Sequence, residues 1–289
     1  MGGIREFKSG LPGPRLLVFG AIHGNEVCGA RALERLASEF ESGLRRLLRG
    51  SCVFVPVCNE RAFASGTRFV EENLNRVFCP HENETSYERQ LANRLSPLMK
   101  ECDFFLDLHS MQSEGDPFAF LNTPSAGSEK LCRSLGVRWI VTGWPELYSG
   151  FPDKDSCCTQ TYADRLGVPN TLVECGTHGA PEADEVAYRS TLRCLAHLGL
   201  VAEAPPVQHA ETLFLKLTDL RFRESAEDRF VKVWKNFEPI REGEVVGYRA
   251  DGKPERAPRD GFIVFPSPVS AVGTEWFYVA VADANFSKG

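Results

Sequence analysis

The 289-residue sequence has no excess of positive charge: 33 lysines and arginines stand against 39 aspartates and glutamates, a formal net charge of −6. Such a chain offers little to offset the repulsion of phosphates. That argues against a general binder of nucleic acid or of anionic membranes. No apolar run approaches the roughly 20 residues of a membrane span. The opening MGGIREFKSGLPGPR lacks the apolar core of a secretory signal. There is no internal repeat and no low-complexity tract. None of the ten cysteines forms a CxxC pair, and several sit inside apolar runs such as CVFVPVC at 52–58. The expectation is therefore reduced, mostly buried thiols in a cytoplasmic protein. The vicinal pair Cys157–Cys158 could be redox-active, but the inert reading is favoured, because a thiolate needs an electropositive niche to react. Histidine is scarce, with six in the chain, so where each one falls carries weight.

What is present reads as an ordinary globular protein. Hydrophobic residues make up 43% and charged residues 25%, which excludes wholesale disorder. The length suits one large domain, or one with a smaller appendage. Arg15–Gly20, Cys52–Val57, Asp103–Leu108, Val137–Thr142 and Thr171–Glu174 read as strands. Helices are expected over 26–40, near 125–135, near 157–166 and over 182–199. Another runs towards Lys100 from a capping box formed by Thr85 and Glu88. Strands alternating with helices predict an α/β fold with a mixed, mostly parallel sheet flanked by helices. Ligands gather beyond the carboxyl ends of such strands. Past VAEAPPV at 201–207 the signal becomes short apolar stretches between turns. The expected division is a catalytic domain over 1–205 and a smaller β-rich domain over 206–289.

Three strand ends carry groups that folding alone would not place there. Gly20-Ala21-Ile22-His23-Gly24-Asn25-Glu26 puts an imidazole and a carboxylate three residues apart, at the first turn of the next helix. Asp107-Leu108-His109 ends another strand, with Asp107 and His109 on one face. Two histidines and a glutamate leaving a fourth position open are the ligand set of a catalytic zinc. Thr171-Leu172-Val173-Glu174-Cys175-Gly176 ends an apolar strand in a carboxylate, which is costly unless used or paired. Glu174 suits a general base. Taken one at a time, each feature has a bland reading: His23 capping a turn, Glu26 favouring a helix N-terminus, His109 a satisfied core residue, Glu174 a salt-bridge partner. Arg68 and Arg76 flank Asn73-Leu74-Asn75. They could grip a carboxylate or an oxyanion, or simply pair with Glu71 and Glu72. His178, in a loop, could ligate or shuttle protons and is left as a bystander or a supporting residue of the site.

His23-Gly24-Asn25-Glu26, Asn73-Leu74-Asn75-Arg76, Asp107-Leu108-His109 and Glu174-Cys175-Gly176, in this order, resemble the succinylglutamate desuccinylase/aspartoacylase family of zinc-carboxypeptidase-like hydrolases. The tail is similar too, at Phe237–Tyr248 and Asp251-Gly252-Lys253. The resemblance implies one Zn2+ per chain on His23, Glu26 and His109, and cleavage of the amide of a small N-acyl amino acid. It implies Glu174 as acid/base, Arg68 polarising the carbonyl, and Asn75, Arg76 and Tyr278 binding substrate. A homo-oligomer is possible. The alternatives are a zinc carboxypeptidase, another small-amide or ester deacylase, or a zinc-containing binder without activity. Two positions depart from the family. An arginine about ten residues before the catalytic glutamate is replaced by Asp164, with Arg165 beside it, and Phe277 competes with Tyr278. The end domain is expected to narrow access and exclude polypeptides.

Overall fold

The structure is a computed structural model describing residues 3–83, 85–151, 157–207, 209 and 211–286. Its centre is a run of strands buried on both faces. β1 (Arg5–Lys8), β2 (Arg15–Gly20), β3 (Ser51–Val55), β4 (Phe104–Met111), β5 (Phe118–Phe120), β6 (Trp139–Thr142) and β7 (Asn170–Thr177) lie in the order β1-β3-β2-β4-β7-β5-β6. Pairings β3–β2, β2–β4, β4–β7 and β5–β6 are parallel, while β1–β3 and β7–β5 are antiparallel. Runs such as RLLVFG and SCVFV, apolar on both faces, suit interior strands covered from above and below.

Helices provide that cover. On one face α1 (Cys28–Glu41), α4 (Ala126–Ser134) and α7 (Pro181–His197) enclose a core that includes Leu33, Leu36, Leu131, Leu192 and Leu195. On the other, α3 (Tyr87–Lys100) and α6 (Thr159–Arg165) bury Leu91, Leu95, Met99 and Tyr162. Two short helices, α2 (Glu60–Ser65) and α5 (Trp144–Tyr148), had no clear periodic signal. No helix among the described residues is long and apolar enough to cross a membrane.

The expected capping box at Thr85 is displaced by one residue. Ser86 caps α3, its side chain accepting the N–H of Arg89. Glu88 is drawn elsewhere: it is buried and accepts the backbone N–H groups of Val70, Glu71 and Glu72 and the Asn59 amide. Three donors in a tight loop satisfy a carboxylate better than one N-cap amide can.

The β-rich residues from 206 on continue the same sheet. β8 (Leu213–Phe222) pairs in parallel with β6, and β14 (Glu275–Ala282), β13 (Gly261–Val264) and β10 (Pro239–Ile240) follow it antiparallel. β9 (Arg229–Phe230), β11 (Val245–Tyr248) and β12 (Pro254–Arg256) form a separate small sheet. β9 is only two residues long. Their core, around Trp276, Phe277 and Val279, is distinct from the two under the helices.

Candidate metal centre and its cavity

β2 delivers the chain to a turn in which the Glu26 N–H donates to the His23 carbonyl at 3.1 Å. Glu26 therefore lies in the connecting turn, two residues before α1, and not in the first helical turn. Gly24 is required here, since a Cβ would sit 2.0 Å from the Ala62 carbonyl carbon. β4, beside β2, brings in His109. His23, Glu26 and His109 are each 2% exposed, and one ligand atom from each lies within 4.8 Å of the others.

The orientation of the rings is the informative part. His23 Nδ1 lies 2.8 Å from Glu26 Oε1, yet without hydrogen-bond geometry. His109 Nδ1 lies 2.8 Å from Glu26 Oε2. The opposite ring atoms each face an oxygen behind them, His109 Nε2 without hydrogen-bond geometry. His23 Nε2 is 3.0 Å from Asn73 Oδ1, and His109 Nε2 is 3.1 Å from Asp107 Oδ2. Asp107 is itself held by the Thr159 hydroxyl at 2.6 Å. Imidazoles facing an oxygen at one nitrogen and converging with a carboxylate at the other are how proteins present histidine to a metal. The residues fit a divalent ion.

Electrostatics follow from burial and proximity. Burial, then the Arg68 charge, lowers His23 to about 4. Burial works against charge on Glu26, but His23 and His109 hold its carboxyl well below the usual range. Burial likewise opposes charge on His109, while Asp107 and then Glu26 outweigh it and push the imidazole well up.

Glu174 on β7 stands opposite His109 on β4. Burial first, then the Glu26 charge, pushes its carboxyl well above the ordinary range, and its Oε2 has no hydrogen-bond partner. Arg68 places Nη1 2.7 Å from Glu26 Oε1, and its carbonyl accepts the Gly24 N–H at 3.2 Å. So Arg68 does not pair with Glu71 or Glu72, which instead face Tyr87 N–H and Arg89.

These groups open into a cavity of about 770 Å³ that Asn75, Arg76 and Tyr278 also line. Asn75 Oδ1 accepts the Thr159 N–H at 3.0 Å, leaving the amide nitrogen as its donor. Arg76 Nη2 is 3.8 Å from Glu275 Oε1. Tyr278 faces the cavity with its hydroxyl 2.7 Å from that of Tyr148, while Phe277 points into the core on the other face of β14. His178, left between bystander and supporting residue, lines the cavity, with Nδ1 2.8 Å from Ser110 Oγ. Asn73, Thr159, Tyr148 and Glu275 went unrecognised one by one. Only Asn73 had a signal, its place in the Asn73–Arg76 motif.

The expectation of ten reduced cysteines is corrected: Cys79 and Cys157, 78 residues apart, are disulfide-bonded, and the other eight are free and buried. The link follows from packing, because Phe78 N–H donates to the Cys157 carbonyl at 2.7 Å and Cys157 N–H to the Arg76 carbonyl at 3.1 Å. Arg165 turns to this bond, its Nη1 3.0 Å from Cys79 Sγ, and Asp164 accepts from Thr123 and Asn170. Neither residue lines the cavity.

The profile of the succinylglutamate desuccinylase/aspartoacylase catalytic domain matches residues 12–198. A succinylglutamate desuccinylase of Vibrio vulnificus (strain CMCP6) is 27% identical over 271 residues, covering 89% of this chain and 78% of that protein. An N-alpha-acetyl-L-2,4-diaminobutyric acid deacetylase of Halomonas elongata is 27% identical over 215 residues, covering 72% of this chain and 61% of that protein. The crystal structure of a succinylglutamate desuccinylase/aspartoacylase from Rhodobacter sphaeroides shares the fold, with a TM-score of 0.80 and 20% identity over 97% of this chain and 88% of that one. So does the product-bound ectoine utilization protein EutE (DoeB) of Ruegeria pomeroyi, at 0.78 and 22% over 96% and 88%. With the profile spanning well over half its length, the chain belongs to the succinylglutamate desuccinylase/aspartoacylase family.

Proposed function

We propose that this protein is a zinc-dependent hydrolase that cleaves the amide of a small N-acyl amino acid into a carboxylate and a free amino acid. The observation that carries this reading is the convergence of His23 Nδ1, His109 Nδ1 and the Glu26 carboxylate, with an unpartnered Glu174 oxygen beside them. Zinc bound to these three side chains would act as a Lewis acid and bring the pKa of a water down to about 7.

The rest is the work of the chain's own groups. Arg76 and the Asn75 amide hold the substrate carboxylate. Glu174, kept basic by its surroundings, takes a proton from the attacking water as that oxygen bonds to the acyl carbon. Arg68 donates to the carbonyl oxygen as negative charge gathers there. The C–N bond then breaks, and Glu174 passes its proton to the leaving nitrogen. Tyr278, from the C-terminal strands, closes the far wall. A wall contributed by the C-terminal strands suits single amino acids better than polypeptides.

The test combines metal content and turnover. Protein reconstituted with zinc should hold about one ion per chain and hydrolyse members of an N-acetyl, N-formyl and N-succinyl amino acid panel. Glu174→Gln should keep the zinc and lose the hydrolysis. A metal-loaded protein that binds these compounds and cleaves none would instead be a binder.

A further inference from the structure

The cavity contains little positive charge for a family whose relatives include succinylglutamate desuccinylases. Among the described residues lining it, the only arginines or lysines are Arg68 and Arg76. Arg68 is engaged with Glu26 beside the metal centre. Arg76 is opposed by Glu275, whose carboxyl also accepts the Tyr148 hydroxyl at 2.7 Å. Arg165, beside the position where the family resemblance places an arginine, points away to the Cys79–Cys157 sulfurs.

What fills the wall beyond Arg76 is aromatic. Phe120 meets Trp144 edge-on at 5.3 Å between ring centres and stacks on Phe265 at 6.0 Å. Trp144 lies 5.5 Å from Tyr278, and Phe265 6.1 Å from it. Leu172, opposite Phe120 across the β5–β7 pair, completes the patch. A second carboxylate set against these rings would lose its water and, among the described residues, would find no cation besides Arg76, which lies 5.9 Å from the Trp144 ring centre and already serves the first carboxylate. An apolar group would bury its surface there and meet ring faces and edges suited to aromatic contact.

We propose that the preferred substrate carries one carboxylate, held at Arg76, and an uncharged apolar or aromatic group seated on the Phe120–Trp144–Phe265–Leu172 wall. This rests on the hydrolase reading above, and the reaction is the same: water oxygen to acyl carbon, C–N cleavage, proton to the amine. The apolar group belongs either to the amino-acid side chain or to the acyl chain, and the two sources separate by assay.

Zinc-reconstituted protein is given N-acetylphenylalanine and N-acetylleucine in one arm, N-benzoylglycine and N-hexanoylglycine in a second, and N-acetylaspartate and N-succinylglutamate in a third. Calorimetry with the Glu174→Gln variant measures binding of the same six compounds. We expect kcat/KM at least about tenfold higher, and tighter binding, in one of the two apolar arms than in the acidic arm. Trp144→Ala should lower that ratio by about tenfold. Equal or higher kcat/KM for the diacids overturns the proposal, as does an absence of binding in both apolar arms. If nothing is cleaved but the apolar compounds still bind more tightly than the diacids, the hydrolase reading fails and the wall's preference stands.

Discussion

Glu88 offers a sharp test of how the site loops are held. Its Oε1 accepts Val70 N–H at 2.7 Å and the Asn59 amide at 3.1 Å, and its Oε2 accepts Glu71 and Glu72 N–H, each at 3.1 Å. All four partners are donors, so the carboxylate cannot be replaced by an amide of the same shape. In Glu88→Gln, whichever way the amide turns, two donors face its NH2 group. Leaving a donor without an acceptor costs about 1–3 kcal/mol, and the loop is only partly buried, so the variant should lose about 2–4 kcal/mol. At about 2 °C per kcal/mol for a chain this long, the melting midpoint should fall by about 4–8 °C.

The pH dependence has a definite sign. Although burial raises it, the donors hold the Glu88 carboxyl below its usual value. The stabilisation is therefore complete above the unfolded-state pKa and is lost as pH falls through the lower native one. Thermal melts of parent and variant should differ fully near neutrality and converge in acid. The loop also joins Arg68 to Asn73, so turnover should fall with stability. A variant melting with the parent at about pH 7, or a gap unchanged down to about pH 3, would refute this account of the loop.

Two further outcomes follow from the site. Arg68→Ala should lower kcat by about 10²–10³, or about 2.7–4 kcal/mol, with a smaller change in KM, because the guanidinium matters most as charge builds on the carbonyl oxygen. Steady-state kinetics on a cleaved N-acyl amino acid check this, and a change confined to KM would argue for a binding role. Thiol titration of denatured, unreduced protein should find the eight free cysteines, since Cys79 and Cys157 are bonded to each other. Cys79→Ser should cost about 2–4 kcal/mol by releasing a constraint on the unfolded chain. A titre of ten thiols would refute the bond.

Much of the site could be read from local chemistry. Strands buried on both faces announce themselves as unbroken apolar runs. A polar group ending such a run stands out because burying it is costly without a purpose. That reasoning reached His23, Glu26, His109 and Glu174, and the paired arginines came from their place around Asn73–Arg76. The resemblance then added roles that spacing alone leaves open. Tyr278 was the sequence choice over a competing Phe277, and the pleat of β14 turns Tyr278 to the cavity and Phe277 to the core, since neighbours on a strand face opposite ways.

Other features depended on contacts between distant parts of the chain. Glu88 is called a helix-capping residue by its neighbours in sequence, yet the loop at 70–72 folds over it and takes the carboxylate. Cys79 and Cys157 carry no mark of their pairing, because their approach is decided by backbone hydrogen bonds between the Arg76–Phe78 segment and Cys157. The β-rich tail looks self-contained by composition, but the parallel pairing of β8 with β6 joins it to the main sheet. Sequence periodicity reports which face of an element is apolar; it does not report which distant element comes to cover that face. The amino-acid order alone therefore marked the main interior strands, the longer helices and the candidate ligand residues. The tertiary structure decided which side chains share a cavity, and so left Arg165 beside a disulfide and put an aromatic wall beyond Arg76.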